Sequence, residues 1–173
     1  MVDVKAIFLD RDGILIEAPI KDKLPKSSKT LKDIKLCKGI VKFCNFYKKK
    51  NYVLIMITNQ PDFSRKKNTK KNIVEINNFL KKKLKLNDVF ICYCDDNNCK
   101  NRKPNPGMII KGKKKYNLNL KKSFVIGDRW KDVSAGNKAK CKTIFFDRNY
   151  NEKIKFNPDF KVKDLEKIYQ IIN

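Results

Sequence analysis

Apolar runs of strand length recur along the chain at residues 4–9, 52–57, 89–93, 124–126 and 143–146. Between them the apolar residues take helical spacing. Ile40, Val41, Phe43, Cys44 and Tyr47 predict a helix over 39–50, and Ile73, Ile76, Phe79, Leu80 and Leu84 predict a second over 69–84 that Asn68 or Thr69 can cap. A third is expected over 106–116, led by Pro106, and a fourth over 130–140. A short strand near 160–162 and a closing helix over 164–172, with Leu165, Ile168 and Ile171 on one face, complete the pattern. Near-continuous hydrophobic strands alternating with amphipathic helices specify a parallel sheet covered on both faces, the three-layer Rossmann-like α/β class. Residues 14–30 are polar, carry Pro19 and Pro25 and lack a period, so they read as a long substrate-side loop. No insertion is large enough for a cap domain. One domain over 1–173 is expected.

The polar residues that follow the strands carry the candidate chemistry. The first run ends in Asp10-Arg11-Asp12-Gly13. Side chains two apart on an extended path point the same way, so Asp10 and Asp12 converge, and Gly13 lets the backbone turn. Two converging carboxylates repel each other. A site that keeps both usually holds a cation or separates their pKa values, so that one is a nucleophile or base and the other an acid; two solvated aspartates at a turn are the plain alternative. The second run ends in Thr58-Asn59-Gln60-Pro61-Asp62, the third opens into a Cys-rich loop ending in Arg102-Lys103-Pro104, and the fourth gives Gly127-Asp128-Arg129-Trp130-Lys131-Asp132. Parallel strands deliver all of these to one edge of the sheet.

Composition narrows the classes. The formal charge is +24, from 42 Lys+Arg against 18 Asp+Glu, which favours anionic ligands. Lysine is nevertheless spread through nearly every segment beside asparagine, as a compositional bias rather than a tuned nucleic-acid patch. Arginine, the usual bidentate reader, occurs only at Arg11, Arg65, Arg102, Arg129 and Arg148, four of them within the motifs. Histidine is absent, which excludes Ser-His-Asp and Cys-His catalysis. The first residues, Met1-Val2-Asp3-Val4-Lys5, lack the basic start and apolar core of a signal peptide, and no apolar run approaches the roughly 20 residues of a spanning helix. A cytoplasmic, soluble monomer without membrane contact is expected. Of six cysteines, Cys37, Cys44 and Cys141 sit among apolar residues as packing groups, and Cys92, Cys94 and Cys99 cluster.

The succession Asp-x-Asp-Gly, Thr-Asn-Gln, Arg-Lys-Pro, Gly-Asp-x-x-x-Asp resembles the haloacid dehalogenase superfamily of phosphohydrolases. Residues 9–13, Thr58-Asn59-Gln60 followed by Arg65, the Cys-x-Cys loop, residues 102–108, and Gly127-Asp128-Arg129-Trp130 with Ala135-Gly136 resemble its small capless branch, which contains D-glycero-D-manno-heptose 1,7-bisphosphate phosphatases and histidinol-phosphate phosphatases. The resemblance covers nearly the whole chain. It implies a hydrolase in which Asp10 is the nucleophile, forming an aspartyl-phosphate, and Asp12 the acid and then the base. Mg²⁺ would sit between Asp10, the Asp12 carbonyl and Asp128. Thr58 and the Asn59 backbone would hold phosphoryl oxygens and Lys103 would neutralise developing charge. Asp132 would orient Lys103 or a metal-bound water, unless it only caps the helix that follows. Arg65, Arg102 and Arg129 are candidates for fork-shaped contacts to substrate phosphate.

Residues 92–101 resemble a zinc loop whose family pattern is Cys-x-His followed by Cys-x-Cys just before Arg-Lys-Pro. Here Cys94 replaces the histidine and Asn101 stands where the last Cys belongs. Cys92, Cys94 and Cys99 with water, Asp95 or Asp96 would hold a structural Zn²⁺, or the loop is metal-free. The leading expectation for substrate is a small anionic sugar phosphate, heptose 1,7-bisphosphate losing its 7-phosphate for surface-polysaccharide or lipopolysaccharide precursors. The alternatives are histidinol phosphate and, from the charge and the motifs shared with polynucleotide phosphatases, a DNA 3′-phosphate. The scattered lysines and the few aromatics near the loops argue against nucleic acid, as does the Cys loop.

Overall fold

The computed structural model describes residues 3–153 and 155–172; Met1 and Val2, part of the start read above for a signal peptide, lie outside them. Every long apolar run becomes a strand. β1 (Ala6–Leu9), β4 (Val53–Asn59), β5 (Asp88–Cys92), β6 (Phe124–Gly127), β7 (Lys142–Phe146) and β8 (Phe160–Val162) form one parallel sheet in the order β5-β4-β1-β6-β7-β8. The short strands β2 (Ile20–Lys21) and β3 (Leu24–Pro25) pair separately as a hairpin. Helices α1 (Ile40–Lys49), α2 (Lys70–Lys83), α3 (Gly107–Tyr116), α4 (Trp130–Lys138) and α5 (Glu166–Ile171) cover the sheet.

Alternation along the strands divides the interior in two. Ile7 and Leu9 of β1 join Leu54, Met56 and Ile126 against Ile40, Phe43 and Tyr47 of α1, Ile76 and Leu80 of α2 and Ile168 of α5. Ala6 and Phe8 face the other way, with Ile55, Ile57 and Val125, against Met108 and Ile109 of α3 and Ala135 of α4. Both faces of β1 are therefore dry, which explains why its sequence is a continuous apolar run. Thr69 caps α2 by accepting the Asn72 amide. Cys37, Cys44 and Cys141 are buried free thiols as expected, and burial pushes them up to about 11, 12 and 12.

Chain order fixes where a ligand can bind. From β1 the sheet grows outward through β4 to β5, then returns across α3 to β6 on the other side of β1. The order reverses beside β1, and such a switch point opens a crevice at the carboxyl ends of the strands. Asp10 stands there, its amide extending the β1–β6 ladder by donating to the Ile126 carbonyl at 3.0 Å.

The loop after β1 needs correction. Residues 14–30 are not polar throughout: Ile14, Leu15 and Ile16 are fully buried in the main core cluster, and residues 20–25 form the hairpin. Three apolar residues beside a glycine turn were too short a run to show a period. Their burial anchors the start of the loop, so only its later part is free to face a ligand.

Among the described residues no helix is long and apolar enough to cross a membrane. Helix α4 lies close on the sheet at Gly136, where a Cβ would come 2.5 Å from Thr143 Cγ2 and 3.1 Å from Val125 Cβ. Both neighbours are β-branched and stiff. Gly136→Ala, although a better helix former by about 1 kcal/mol, is therefore expected to lose about 1–2 kcal/mol of folding stability in urea titration through overpacking; a gain in stability would contradict this packing.

Candidate active site

At the carboxyl ends of β1, β4 and β6 lies a cleft of about 270 Å³, lined by Asp10, Asp12, Thr58, Asn59, Arg102, Lys103, Asp128 and Asp132, with Lys26, Ser27, Asp62, Arg65, Arg129 and Lys131 around them. The candidate catalytic and phosphate-contacting residues read from the sequence thus line one cleft, whereas Gln60, Gly127, Trp130 and the clustered cysteines do not. Lys103 is its hub. Its ammonium, 3 % exposed, donates to Asp10 Oδ1 at 2.7 Å, to Asp132 Oδ1 at 2.6 Å and to the Ile57 carbonyl at 3.0 Å. Burial alone would lower the lysine pKa, but the two carboxylates outweigh it and raise it above the ordinary value. Lys103 is fixed at its backbone as well. The Asn59 side chain accepts the Lys103 amide at 3.0 Å and donates to the Lys103 carbonyl at 2.9 Å.

Asp132 contacts both Lys103 and the start of α4. Oδ1 takes the lysine, while Oδ2 accepts the Arg129 amide at 3.2 Å and caps α4. Burial raises its pKa to about 6 against the pull of Lys103. Asp128 is the exception in this network. It is 1 % exposed, and neither carboxylate oxygen has a hydrogen-bond partner among the described residues. The Tyr150 hydroxyl faces it without meeting hydrogen-bond geometry, and burial, reinforced by Asp10 and Asp132, pushes its pKa far up. Carboxylate oxygens of Asp10, Asp128 and Asp132 lie within 4.8 Å of one another. Gly13 makes room for this group, since a Cβ there would sit 1.8 Å from Asp128 Oδ2, and its φ of +94° also requires glycine.

Asp12 is held separately. The buried Arg11 guanidinium donates Nε to Asp12 Oδ2 at 3.0 Å and Nη2 to Oδ1 at 3.2 Å; Gln60 Nε2 donates to Oδ2 at 3.1 Å and also to Thr58 Oγ1 at 2.9 Å. Among the cleft arginines, Arg65 is forked onto Asp95 at 2.6 and 2.5 Å, and Arg129 onto Glu152 at 2.6 and 2.5 Å. Arg102 donates to the Cys94 carbonyl at 2.6 Å and to Asp95 at 3.3 Å, leaving a buried Nε unpartnered. Lys131, which the sequence reading passed over, lines the same wall; burial and the neighbouring Arg102 and Arg129 lower its pKa.

Cys92, Cys94 and Cys99 bring their sulfurs within 4.8 Å of one another, beside the cleft rather than in it. Burial raises Cys92 to about 12, and a hydrogen bond from Cys94 lowers Cys99. Asp95 is taken up by Arg65 and Arg102. Two further residues escaped the sequence reading. Arg148 donates Nε and Nη2 to the Gly13 carbonyl at 3.0 and 2.8 Å, and Glu152 neutralises Arg129; both lie outside any strand-end motif, and nothing local signals them.

Comparison with known proteins agrees with this geometry. The profile of the haloacid dehalogenase-like hydrolases matches residues 11–146. A D-glycero-alpha-D-manno-heptose-1,7-bisphosphate 7-phosphatase of Campylobacter jejuni is 30 % identical over 162 residues, covering 91 % of this chain and 90 % of the relative. A D-glycero-beta-D-manno-heptose-1,7-bisphosphate 7-phosphatase of Helicobacter pylori is 35 % identical over 145 residues, 80 % of each. In fold, the chain resembles the D,D-heptose 1,7-bisphosphate phosphatase of B. bronchiseptica solved with magnesium and phosphate, at a TM-score of 0.80 and 21 % identity over 97 % of this chain and 99 % of that one. By its matched profile, its relatives and its fold, this chain belongs to the haloacid dehalogenase-like hydrolases.

Proposed function

We propose that the chain is a Mg²⁺-dependent phosphomonoesterase that works through an aspartyl-phosphate on Asp10 and takes a heptose 1,7-bisphosphate, removing the 7-phosphate. The observation that carries this reading is the buried Lys103 bridge between Asp10 and Asp132 beside the unpartnered Asp128 carboxylate. A nucleophilic carboxylate, a fixed cation and an empty-handed acidic group in one cleft suit transfer of a dianionic phosphoryl group.

The residues present fit a divalent cation. Asp128 keeps two buried oxygens without donors, Gly13 leaves space against them, and the donor set is all oxygen, as a hard cation requires. Asp10, the Asp12 carbonyl and Asp128 would hold it. When bound, Mg²⁺ supplies charge neutralisation to the carboxylates and to the substrate phosphate. The protein's own groups do the rest. Asp10 attacks phosphorus as the ester bond breaks, and Asp12 gives its proton to the departing sugar oxygen. Asp12 then takes a proton from water as that water displaces Asp10 from phosphorus. Lys103 holds Asp10 in place and offsets charge on the phosphoryl group, aided by the Thr58 hydroxyl and the Asn59 backbone.

A second anionic group on the substrate has a place to go. Lys131 and Arg102, which keeps one Nε unpartnered and shares Asp95 with Arg65, form the inner part of the wall, while Arg129 stands at its rim on Glu152. A bisphosphate uses this wall better than a monophosphate. Relatives named for both anomers are about equally similar to this chain. Histidinol phosphate is the second reading: a bifunctional HisB protein of Buchnera aphidicola is 31 % identical over 75 % of this chain, although that match spans 37 % of the relative. The three clustered thiols support a structural Zn²⁺ that fixes the loop delivering Arg102 and Lys103, with a non-thiol fourth ligand in place of Asn101. Metal analysis of protein purified without added zinc decides this; protein free of zinc removes it from the account.

Turnover with Mg²⁺ of heptose 1,7-bisphosphate, histidinol phosphate and a 3′-phosphorylated oligonucleotide is expected to favour the bisphosphate by at least ~10-fold in kcat/KM, the scale of one charge-assisted contact. Preference for either of the others would replace the substrate assignment. The cation site makes a separate prediction. Asp128 and Asp132 have raised folded pKa values, so the stability they allow is present at low pH and lost as pH rises through those values. Mg²⁺ replaces the proton. Its stabilisation is therefore expected to grow from pH 5 to pH 8, to about 2.7 kcal/mol or roughly 5–10 °C in Tm at a hundredfold excess over Kd. Asp128→Asn should abolish the shift; an equal shift in that variant would contradict the site.

A further inference from the structure

Asp12 is gripped from all sides by donors, and the main gripping group is the one arginine of the chain with no exposed surface. Arg11 is 0 % exposed. Its Nε and Nη2 hold the two Asp12 oxygens, with Nη2 also 2.9 Å from Oδ2, and its Nη1 is tied to Asn77 Oδ1 of α2 at 3.2 Å. Gln60, also 0 % exposed, donates from the end of β4 to Asp12 and to Thr58 with the same amide nitrogen. The Ser28 amide, in the loop whose neighbours Lys26 and Ser27 line the cleft, adds a contact to Oδ1 at 3.2 Å.

A buried arginine is costly to desolvate unless its donors are used. Here Nε and Nη2 are spent on the Asp12 carboxylate, and Nη1 anchors the guanidinium to Asn77 of α2. Asp12 follows the strand on a turn, where a carboxylate would otherwise sample several rotamers. The fork removes that freedom, and Gln60 sets its orientation against Thr58, itself a cleft residue. We propose that Arg11 and Gln60 are positioning residues that lock the Asp12 carboxylate in one orientation, and that the leaving oxygen and then the attacking water take the Oδ1 place held here by the Ser28 amide, where the proton is exchanged.

This rests on the phosphatase reading and on Asp12 as the acid and base. In the first half-reaction, the Asp10–phosphorus bond forms and the ester P–O bond breaks, with the Asp12 proton going to the sugar oxygen. In the second, the water oxygen bonds phosphorus and the Asp10–phosphorus bond breaks, with the water proton returning to Asp12. A misplaced Asp12 slows both halves for a sugar phosphate. For an aryl phosphate whose leaving group needs no proton, only the second half suffers, and phosphorylated Asp10 must accumulate.

The test uses the whole Mg²⁺-loaded protein with Arg11→Lys, Arg11→Met and Gln60→Leu. Each is assayed on an alkyl sugar phosphate and on p-nitrophenyl phosphate, with stopped-flow detection of p-nitrophenol and thermal melts as a fold control. Any Arg11 variant that fails to fold leaves the decision to Gln60→Leu, which removes the donor without leaving its buried, unpartnered Oε1 behind. The expected result is a loss of about 10–100-fold in kcat on the sugar phosphate, KM within threefold, a smaller loss on the aryl ester, and a pre-steady-state burst of p-nitrophenol approaching one equivalent. Equal losses on both esters without a burst would mean a structural role only, and activity within twofold of the parent would mean none; either overturns the proposal. If the parent itself shows no Mg²⁺-dependent turnover, the phosphatase reading fails instead, and the two failures are told apart.

Discussion

A lysine ammonium buried among carboxylates is the constraint on which the rest of the site depends. Three acidic side chains, Asp10, Asp128 and Asp132, stand within 4.8 Å of one another in a place with almost no solvent. Left alone, they could not all be ionised. Lys103 compensates two of them, and that sets requirements on everything around it. Its backbone must be fixed, which the Asn59 side chain does with two hydrogen bonds. Asp132 must be both ionised and oriented, which its second role as the α4 cap secures. Asp128 is left over, its two buried oxygens without a hydrogen-bond partner among the described residues, and this sets the cleft apart from a closed salt-bridge cluster.

The second half of the chain braces this centre from behind. Arg148, following β7, spans to the Gly13 carbonyl, stacking on Phe146 at 4.3 Å as it does so. Tyr150 faces Asp128, and Glu152 neutralises Arg129. The Asn151 amide donates to the Lys23 carbonyl of the hairpin loop. One short segment after β7 therefore touches the Asp-Arg-Asp-Gly turn, the Gly-Asp-Arg motif and the substrate-side loop.

How much of this was legible from sequence follows the range of the interactions. The strands were legible because each is buried on both faces and so reads as an apolar run, and the site residues because parallel strands deliver their ends to one edge. Asp132 and Lys103 could be paired in advance only through the family resemblance. Arg11 lies within a motif but has no role readable from its neighbours; its partner Asn77 lies 66 residues away on α2. Arg148, 135 residues from Gly13, was the one arginine outside every motif. Ile14 to Ile16 were hidden by the prolines and lysines after them. The folded sheet, and not any local pattern, brings these residues together.

The charge of +24 finds its place only in part within this account. Around the cleft Arg65 and Arg102 share Asp95 and Arg129 takes Glu152, while Lys131 lies among these arginines, which lower its pKa along with burial. The central claim is that Asp10 carries the phosphoryl group, with Lys103 and Asp132 holding it ready. Rapid quenching during turnover, borohydride reduction of the acyl phosphate and peptide mass spectrometry test it most directly. The account predicts conversion of Asp10, and of no other residue, to homoserine. Sustained turnover without modification of Asp10, or modification at another carboxylate, would contradict it.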